Sequence, residues 1–403
     1  MTDVWALAAL WLGLALVATL LSIWLRIATA LSEIVVGTVA QLLIGVLVGR
    51  AILGTDEPWV KFLSGTGAII LTFLAGAELD PAVFRAKWRE TTGIGLVGFF
   101  APFLGCAAFA RYVLGWTPPA SWLTGVALST TSVAVVYAVM LELGLNSTGF
   151  GKAVLAACFV NDLGTVIALG LIFAPFTLRT VVFIVVSVVV LGVLPLATPR
   201  FFHRYGGRPS ELEAKFLLLA LFGMGALAAW ADSEPVLPAY LIGMVLAGTV
   251  GKDHALVRRL RTVTFGLLTP FYFIRAGSFV SVPALLAAPA AVFGLLLAKL
   301  VTKTVGVWPA TRLFRYPRQE AAYTTLLMST GLTFGSISAL FGFTHRVIDQ
   351  AQYSFLIAAV IGSAVVPTLI ANAFFLPRYL LPKPAPAHEE TVVATAPAER
   401  TAP

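Results

Sequence analysis

The sequence is poor in charged residues. Asp, Glu, Lys and Arg make up 11% of its 403 residues, against roughly 25% in soluble globular domains. Hydrophobic residues make up 59%, and the mean hydropathy is +0.93. A water-soluble fold could not bury so much apolar side chain, whereas a lipid bilayer solvates it. The composition therefore excludes a soluble domain and predicts an integral membrane protein.

Cysteine and histidine are also scarce, which excludes several kinds of site. Cys106 and Cys158 lie in separate apolar runs without a CxxC spacing, so neither a disulfide nor a metal site is predicted. The four histidines fall in predicted loops or in the tail, and no GxSxG or HExxH motif occurs. We therefore expect no cofactor and no enzyme. The net charge of +8 lies mainly in loops, which is typical of membrane orientation and not of nucleic-acid binding.

Long apolar runs such as 181–196 are typical of helices, because strands of a membrane barrel alternate over ~10 residues. A spanning helix needs about 20 apolar residues, so the chain has room for about 13. We predict an all-α polytopic membrane protein. Residues 383–403, rich in Pro, Ala and Glu, are predicted to form a disordered tail. The predicted spans are 4–25, 33–54, 60–80, 91–113, 119–142, 148–174, 178–198, 212–231, 236–251, 257–281, 285–313, 319–343 and 349–380.

Lys and Arg are distributed unequally between alternate loops. With the N-terminus outside, the inner loops hold about 18 of these residues and the outer loops about 5. This asymmetry predicts an odd number of spans, an outer N-terminus and a cytoplasmic C-terminus in the inner (plasma) membrane.

Two predicted spans are interrupted by polar residues at matching places. Residues 91–175 and 285–380 both contain a plain span, an interrupted span and another span. The first interruption is Ser129-Thr130-Thr131-Ser132, and the second contains Gly331, Thr333 and Gly335. Such breaks in two halves are typical of an inverted-repeat transporter. The alternative is that the hydroxyls bond back to carbonyls within ordinary helices.

Few charged residues fall inside the predicted spans. Asp162 is the one acid in the middle of a span, about ten residues or ~15 Å from its start. Arg275, Lys299 and Lys303 are the bases within spans. An ionisable group at that depth costs at least ~2.5 kcal/mol, which predicts a functional role. The alternative is a structural ion pair between the acid and one of the bases.

A buried carboxylate can couple two ions. Low-dielectric surroundings disfavour its charged form, so it binds a proton, whereas a small cation stabilises the ionised form. Proton and cation then compete for one group, and competition becomes exchange if only the loaded site crosses the membrane. Asn161 adds an uncharged oxygen beside Asp162, and the hydroxyls of Thr130, Thr131 and Ser132 could supply further ligands to a hard cation.

Four features resemble one transporter family. They are the segment 73–80 (FLAGAELD), the segment 127–133 (ALSTTSV), the pair Asn161-Asp162, and Lys303 nine residues before Arg312. Together they are similar to the monovalent cation:proton antiporters of the second cation:proton antiporter family, relatives of bacterial sodium/proton and potassium-efflux antiporters. The resemblance covers roughly residues 5–380.

The resemblance implies a 13-helix inverted-repeat fold with two crossing discontinuous helices. It also implies interleaved core and dimerisation subdomains within residues 1–382, a homodimer and an elevator-like cycle. The expected activity is exchange of Na⁺ or K⁺ for H⁺. Asp162 would carry the ion or proton, and Lys303 would stabilise the crossing helices or balance charge.

Several assignments stay open at this point. Asn161 replaces a second acid, which favours one-for-one, electroneutral exchange. Lys299, one turn before Lys303, is an alternative supporting base. Arg275 either pairs with the buried carboxylate or snorkels to the interface. Glu78 is either an interfacial charge or part of an ion entrance.

Three other functions would make different demands on the same residues. An organic-anion symporter on the same fold would need a roomier polar cavity and less reliance on one carboxylate. An aspartyl enzyme would need a second acid in mid-membrane, and the predicted spans contain none. A channel would need a repeated filter segment, which is not visible.

Overall fold

The computed structural model describes residues 4–25, 27–47, 53–172, 177–208, 210–251 and 253–381, and this part of the chain contains helices and no strand. The predicted tail, 383–403, lies outside the described residues. The helices are α1 (Val4–Leu25), α2 (Thr29–Leu47), α3 (Pro58–Ala77), α4 (Pro81–Ala86), α5 (Trp88–Tyr112), α6 (Pro118–Ser129), α7 (Val133–Glu142), α8 (Gly149–Ile172), α9 (Leu178–Tyr205), α10 (Leu212–Trp230), α11 (Val236–Leu246), α12 (His254–Val263), α13 (Thr269–Ser278), α14 (Val282–Ala287), α15 (Pro289–Leu313), α16 (Arg318–Met328), α17 (Thr333–Thr344) and α18 (Gln350–Ile370).

Ten segments of the described chain are long and apolar enough to cross a membrane, with α6–α7 and α16–α17 each counted once. Two shorter apolar helices, Thr29–Leu43 and Val236–Leu246, correspond to further predicted spans. The remaining prediction, 257–281, consists of α12 and α13 joined by a π-helical turn, Thr264–Leu268. The all-α fold with about 13 membrane helices is thus confirmed.

The two halves repeat one order of elements. Each has a helix, a six-residue helix, a 25-residue helix, a broken pair and a long final helix, as α3–α8 and as α13–α18. The 25-residue helices begin at Trp88 and Pro289, 201 residues apart. The six-residue helices were not predicted, since they are too short to show a hydrophobic period. Side-chain caps begin both, from Asp80 and from Ser281.

The halves are inverted with respect to each other. Arg261, in the last turn of α12 and therefore before the start of α13, pairs with Glu78 at the end of α3. Arg275, in the last turn of α13, lies beside Thr55, before the start of α3. Helices α3 and α13, which correspond to each other in the two halves, therefore run antiparallel. We call the surface that holds Glu78 and Arg261 the basic face, and the surface that holds Thr55 and Arg275 the distal face.

Glycines allow two helix pairs, α3–α11 and α2–α13, to pack with their backbones in contact. A Cβ at any of the four glycines would lie within 3.0 Å of a carbonyl oxygen on the partner helix. Close glycine contacts thus pack α11 against α3 of the first half and α2 against α13 of the second half, as expected for packing by small residues in membranes. The glycines are Gly76 and Gly243 in the first pair, and Gly37 and Gly277 in the second.

Buried apolar side chains form two large clusters. The larger includes residues of α5–α8 and α15–α18, and it surrounds both broken pairs. The second joins α3 and α9–α12. The breaks therefore lie inside a body of helices that is packed around them.

Candidate ion-binding site

The first break lies between α6 and α7, where Thr130 is extended, with φ −60° and ψ 152°. A helix end leaves carbonyls without partners, and in a membrane these must be satisfied internally. Ser129 Oγ donates to Val126 O at 2.8 Å, and Thr130 Oγ1 donates to Ala127 O at 3.2 Å. Ser129, Thr130, Thr131 and Ser132 are all fully buried. The hydroxyls that interrupt the apolar run therefore complete the end of the half-helix.

The second break lies between α16 and α17 and repeats this pattern. Ser329 Oγ donates to Thr325 O at 2.7 Å, and Thr330 Oγ1 donates to Leu327 O at 2.8 Å. Gly331 lies within the break, and a Cβ there would collide with the amine of Lys299. Thr333 begins α17. In its first turn lies Gly335, where a Cβ would come 3.1 Å from Ala127 O of α6.

The two breaks touch each other. The main-chain N–H of Ser132 donates to Thr330 O at 3.2 Å, and Thr131 Oγ1 donates to Met328 O at 2.8 Å. Each break thus satisfies polar groups of the other, and the crossing of two discontinuous helices is present in the structure.

Helix α8 brings the Asn161-Asp162 pair to the first break. Asn161 Nδ2 donates to Ser129 O at 3.0 Å, and the N–H of Thr131 donates to Asp162 Oδ1 at 3.4 Å. Asn161 is 0% exposed and Asp162 is 1% exposed. Both side chains therefore meet the polar main chain of the break, away from water.

Helix α15 brings Lys303 to the same place. Its Nζ donates to Asn161 Oδ1 at 2.8 Å and to Thr131 Oγ1 at 2.9 Å, and the residue is fully buried. In the described part of the chain, no basic nitrogen lies within 4 Å of the Asp162 carboxylate. The lysine is bound to the amide and the threonine, and the carboxylate keeps its oxygens for other ligands.

Lys299 lies one turn earlier on α15 and is connected to the second break through Ser363. Its Nζ donates to Ser363 Oγ at 3.1 Å, and Ser363 Oγ is in turn within 3.2 Å of Gly331 O. Both buried lysines interact electrostatically with Asp162. The choice left open between Lys303 and Lys299 is therefore not exclusive, since each contacts a different break. Ser363 of α18 was missed, although its place in the repeat corresponds to that of Asp162.

Arg275 does not belong to this site. Its Nε donates to Thr55 O at 2.9 Å, its guanidinium is 3.9 Å from Asp56, and it lies 5.1 Å from the ring centre of Phe279. The suggested pair with Asp162 is wrong, because the end of α13 carries Arg275 to the distal face.

Glu78 lies at the basic face, where it pairs with Arg261. The two side chains line a cavity of about 400 Å³, together with Asp80 and His254. Tyr137 of α7 lines the same cavity, one turn beyond the first break. The cavity therefore leads from the basic face toward the break, and Glu78 stands on its wall.

One further buried acid escaped the sequence reasoning. Helix α2 begins at Thr29, so Glu33 lies a full turn inside it and is 2% exposed. The predicted span began at 33 and placed this residue at a membrane boundary. The predicted boundary was four residues late, so Glu33 is a second buried acid, near one end of a helix, besides Asp162 in the middle of a span.

Comparison with known proteins agrees with this geometry. The family described as "Sodium/hydrogen exchanger, transmembrane" matches residues 12–376. The chain belongs to this family. Among curated proteins, it is 25% identical to "Probable Na(+)/H(+) antiporter 3" of Methanocaldococcus jannaschii, over 81% of this chain and 86% of that protein.

Two other exchanger-family relatives differ in length. The chain is 25% identical to "Na(+)/H(+) antiporter NhaS4" of Synechocystis, over 87% of this chain and 92% of the relative. It is 27% identical to "Glutathione-regulated potassium-efflux system protein KefC" of Cronobacter sakazakii, over 78% of this chain but only 53% of that longer protein. The chain therefore spans about half of the length of KefC.

The exchanger fold is also found among solved structures. The sodium proton antiporter MjNhaP1 from Methanocaldococcus jannaschii superimposes with a TM-score of 0.64, over 91% of this chain and 95% of that one. The sequences are 14% identical, so the likeness shows the fold alone.

Proposed function

We propose that this protein is a secondary antiporter that exchanges a monovalent cation, Na⁺ or K⁺, for H⁺ by alternating access. The observation that carries the proposal is Asp162, a carboxylate buried at the crossing of the two breaks. It accepts one long hydrogen bond from the protein, and both nearby lysines bind other groups. The names of the sodium/proton and potassium-efflux relatives support the same activity.

The proposed mechanism is competition for the Asp162 carboxylate. Its oxygens suit a hard monovalent cation, and the first break, whose Thr131 N–H contacts Asp162 Oδ1, would supply carbonyls and hydroxyls to the same ligand set. Removal of the cation leaves a charge that low-dielectric surroundings disfavour, so a proton replaces it. The site is neutral with either ligand, and the neutral site is the one that crosses the membrane.

The stoichiometry follows from Asn161. The amide at this position does not titrate, and it holds Lys303 at 2.8 Å without carrying a charge. One carboxylate therefore exchanges one proton for one cation, and we propose that transport is electroneutral. Lys303 would act as a positioning residue that fixes Asn161 and Thr131 around the carboxylate.

We propose that α5–α8 and α15–α18, with their shared apolar cluster, form a core that moves against α3 and α9–α12. We also propose that the protein is a homodimer in the inner membrane, with the N-terminus outside and the basic face toward the cytoplasm. The excess of Lys and Arg on that face supports this orientation.

Proton movement in proteoliposomes tests the function. Vesicles with an acidic lumen and a pH dye receive Na⁺, K⁺ or Li⁺ outside, and one or more of these cations is expected to restore the dye signal. Asp162→Asn should abolish the response while the protein stays folded, and Asp232→Asn, in an exposed loop, should retain it. An Asp162→Asn protein that still exchanges would refute the proposal. A rate that follows an imposed membrane potential would refute the one-for-one stoichiometry.

A further inference from the structure

The distal face has a cavity that corresponds to the one at the basic face. It encloses about 160 Å³ between α3, α13, α17 and the loop before α11. Its wall includes Lys61, Ser64, Glu234, Tyr272 and Arg275. From α17 it is lined by Ile337, Leu340, Phe341 and Thr344, which follow one another along a single helix face.

Each cavity reaches a half-helix one turn after it leaves a break. Ile337 lies four residues after Thr333, where α17 leaves the second break. At the basic face, Tyr137 lies four residues after Val133, where α7 leaves the first break. Four residues of helix span ~6 Å. The two cavities therefore approach the crossing of the breaks from opposite faces by equivalent routes.

Glu234 is the acid among the residues that line the distal cavity. Lys61 is bound to Asp56 at 3.0 Å, and Arg275 lies 3.9 Å from the same carboxylate and bonds Thr55 O. Across the described residues, no Lys, Arg or His nitrogen lies within 4 Å of the Glu234 carboxylate. The two positive side chains of this cavity, Lys61 and Arg275, thus both face the carboxylate of Asp56.

Tyr272 provides a second unpartnered group in the same cavity. The residue is 3% exposed, and its hydroxyl has no hydrogen-bond partner within the described part of the chain, although buried polar groups are normally bonded. The Tyr272 hydroxyl and the Glu234 carboxylate are close enough to interact electrostatically. A donor and a carboxylate that face one cavity without protein partners form a polar site for water and a small ion.

We propose that Glu234 and Tyr272 form a distal-face binding station, where a monovalent cation or a proton is taken up on the way to Asp162. The inference rests on the proposed antiport. The Glu234 carboxylate accepts the cation or the proton, and the Tyr272 hydroxyl holds its water or the protonated carboxyl group. Glu78, on the wall of the basic-face cavity, has a basic partner in Arg261. The two cavities therefore differ, because the charge of Glu78 is paired and, among the described residues, the charge of Glu234 is not.

The charge of the station depends on pH. Glu234 is half-buried, but protein atoms crowd its carboxylate, and burial raises the pKa of Glu234 to about 7. The charged groups that face it are Lys61 from α3 and Arg275 from α13, while α17 contributes the uncharged Thr344. With this pKa, the Glu234 carboxyl group is mostly protonated at lower pH and mostly negative at higher pH. Cation uptake from the distal side should therefore strengthen as the distal pH rises through 7.

Sided transport measurements test the station. Right-side-out and everted membrane vesicles that contain the full chain present different faces to the bath, and radioactive Na⁺ or a K⁺ tracer serves as the probe. At bath pH 8.5, Glu234→Gln should raise the half-saturating cation concentration roughly fivefold. This effect should be restricted to the preparation in which the distal face meets the bath. The inflection near pH 7 should disappear in the same preparation.

Asp232→Asn, two residues away in the same loop, is the matched control and should behave as wild type. Glu234→Asp keeps the carboxylate and should restore most of the affinity, which separates loss of charge from misfolding. A Glu234→Gln protein with wild-type affinity and pH profile on both sides would overturn the station. If Asp162→Asn still abolishes exchange in that experiment, the proposed function stands and only the station fails.

Discussion

The repeat formed by α3–α8 and the repeat formed by α13–α18 share a framework but differ in their polar side chains. In the first, α8 places Asn161 and Asp162 against its break. In the second, the corresponding residues of α18, 201 positions later, are Gly362 and Ser363. The pseudo-symmetric framework thus supplies two breaks and two routes, while one repeat supplies the acid.

The bases show the reverse distribution. Lys299 and Lys303 of α15 correspond to Gly98 and Pro102 of α5. Gly98 is needed where it is, since a Cβ there would come 3.1 Å from Asn161 Oδ1, the oxygen to which Lys303 donates. Acid from one repeat and bases from the other meet at the crossing. In the proposed cycle, the single carboxylate at this crossing is reached from each face in turn, which is what alternating access requires.

Removal of Lys303 should have the largest effect on this arrangement. Lys303→Ala leaves buried Asn161 Oδ1 and Thr131 Oγ1 without their donor, and each unsatisfied group costs about 1–3 kcal/mol. We expect a fall in thermal stability and at least roughly tenfold slower exchange, since Asn161 is no longer held beside the carboxylate. Thermal unfolding in detergent and the proteoliposome assay measure the two effects.

Lys299→Ala is the comparison for that variant. Lys299 has one bond, to Ser363 at the second break, so the loss of stability should be smaller and exchange should continue. If Lys299→Ala proved as damaging as Lys303→Ala, the two lysines would not have the separate roles that their contacts indicate.

Adding a methyl group at the close glycine contacts should lower the melting temperature equally in the two repeats. Gly37→Ala and Gly243→Ala each push a methyl group against a carbonyl oxygen of the partner helix, and such overpacking costs about 1–3 kcal/mol. Gly223→Ala in α10 is the control, because a Cβ there meets nothing within 4 Å and alanine favours the helix. Melting temperatures should fall for the first two variants only. A fall confined to one of them would show that the second contact is not equivalent.

The two breaks and the buried acid could be predicted because each is a polar or charged exception within an apolar run of the sequence. Polar runs at 129–132 and 329–333 interrupt apolar helices, and Asp162 is a charge in the middle of a span. Such residues have few physical explanations in a membrane, so the breaks and the acid at their crossing could be identified from one chain.

Other assignments depended on which helices meet, which the sequence does not state. Lys299 and Lys303 are one turn apart, and the break that each contacts depends on the packing of α15. The role of Arg275 stayed open in the sequence because its partner Thr55 is 220 residues away. Glu234 was missed because it falls in a short loop between two predicted spans, where an acid is unremarkable. Only the three-dimensional structure shows that this loop borders a cavity.

The smallest effect should come from the ion pair at the basic face. The side chains of Arg261 and Glu78 are 40% and 26% exposed, and pairs of this kind contribute about 0–1 kcal/mol because water and salt screen them. Arg261→Gln should therefore change the melting temperature little, and less still in high salt. Arg275→Gln at the distal face should cost more, since Arg275 is 8% exposed and bonds a main-chain carbonyl. Equal losses of melting temperature in the two variants would mean that Arg261 is as well shielded from water as Arg275. The two cavities would then not differ in the strength of their charge pairs.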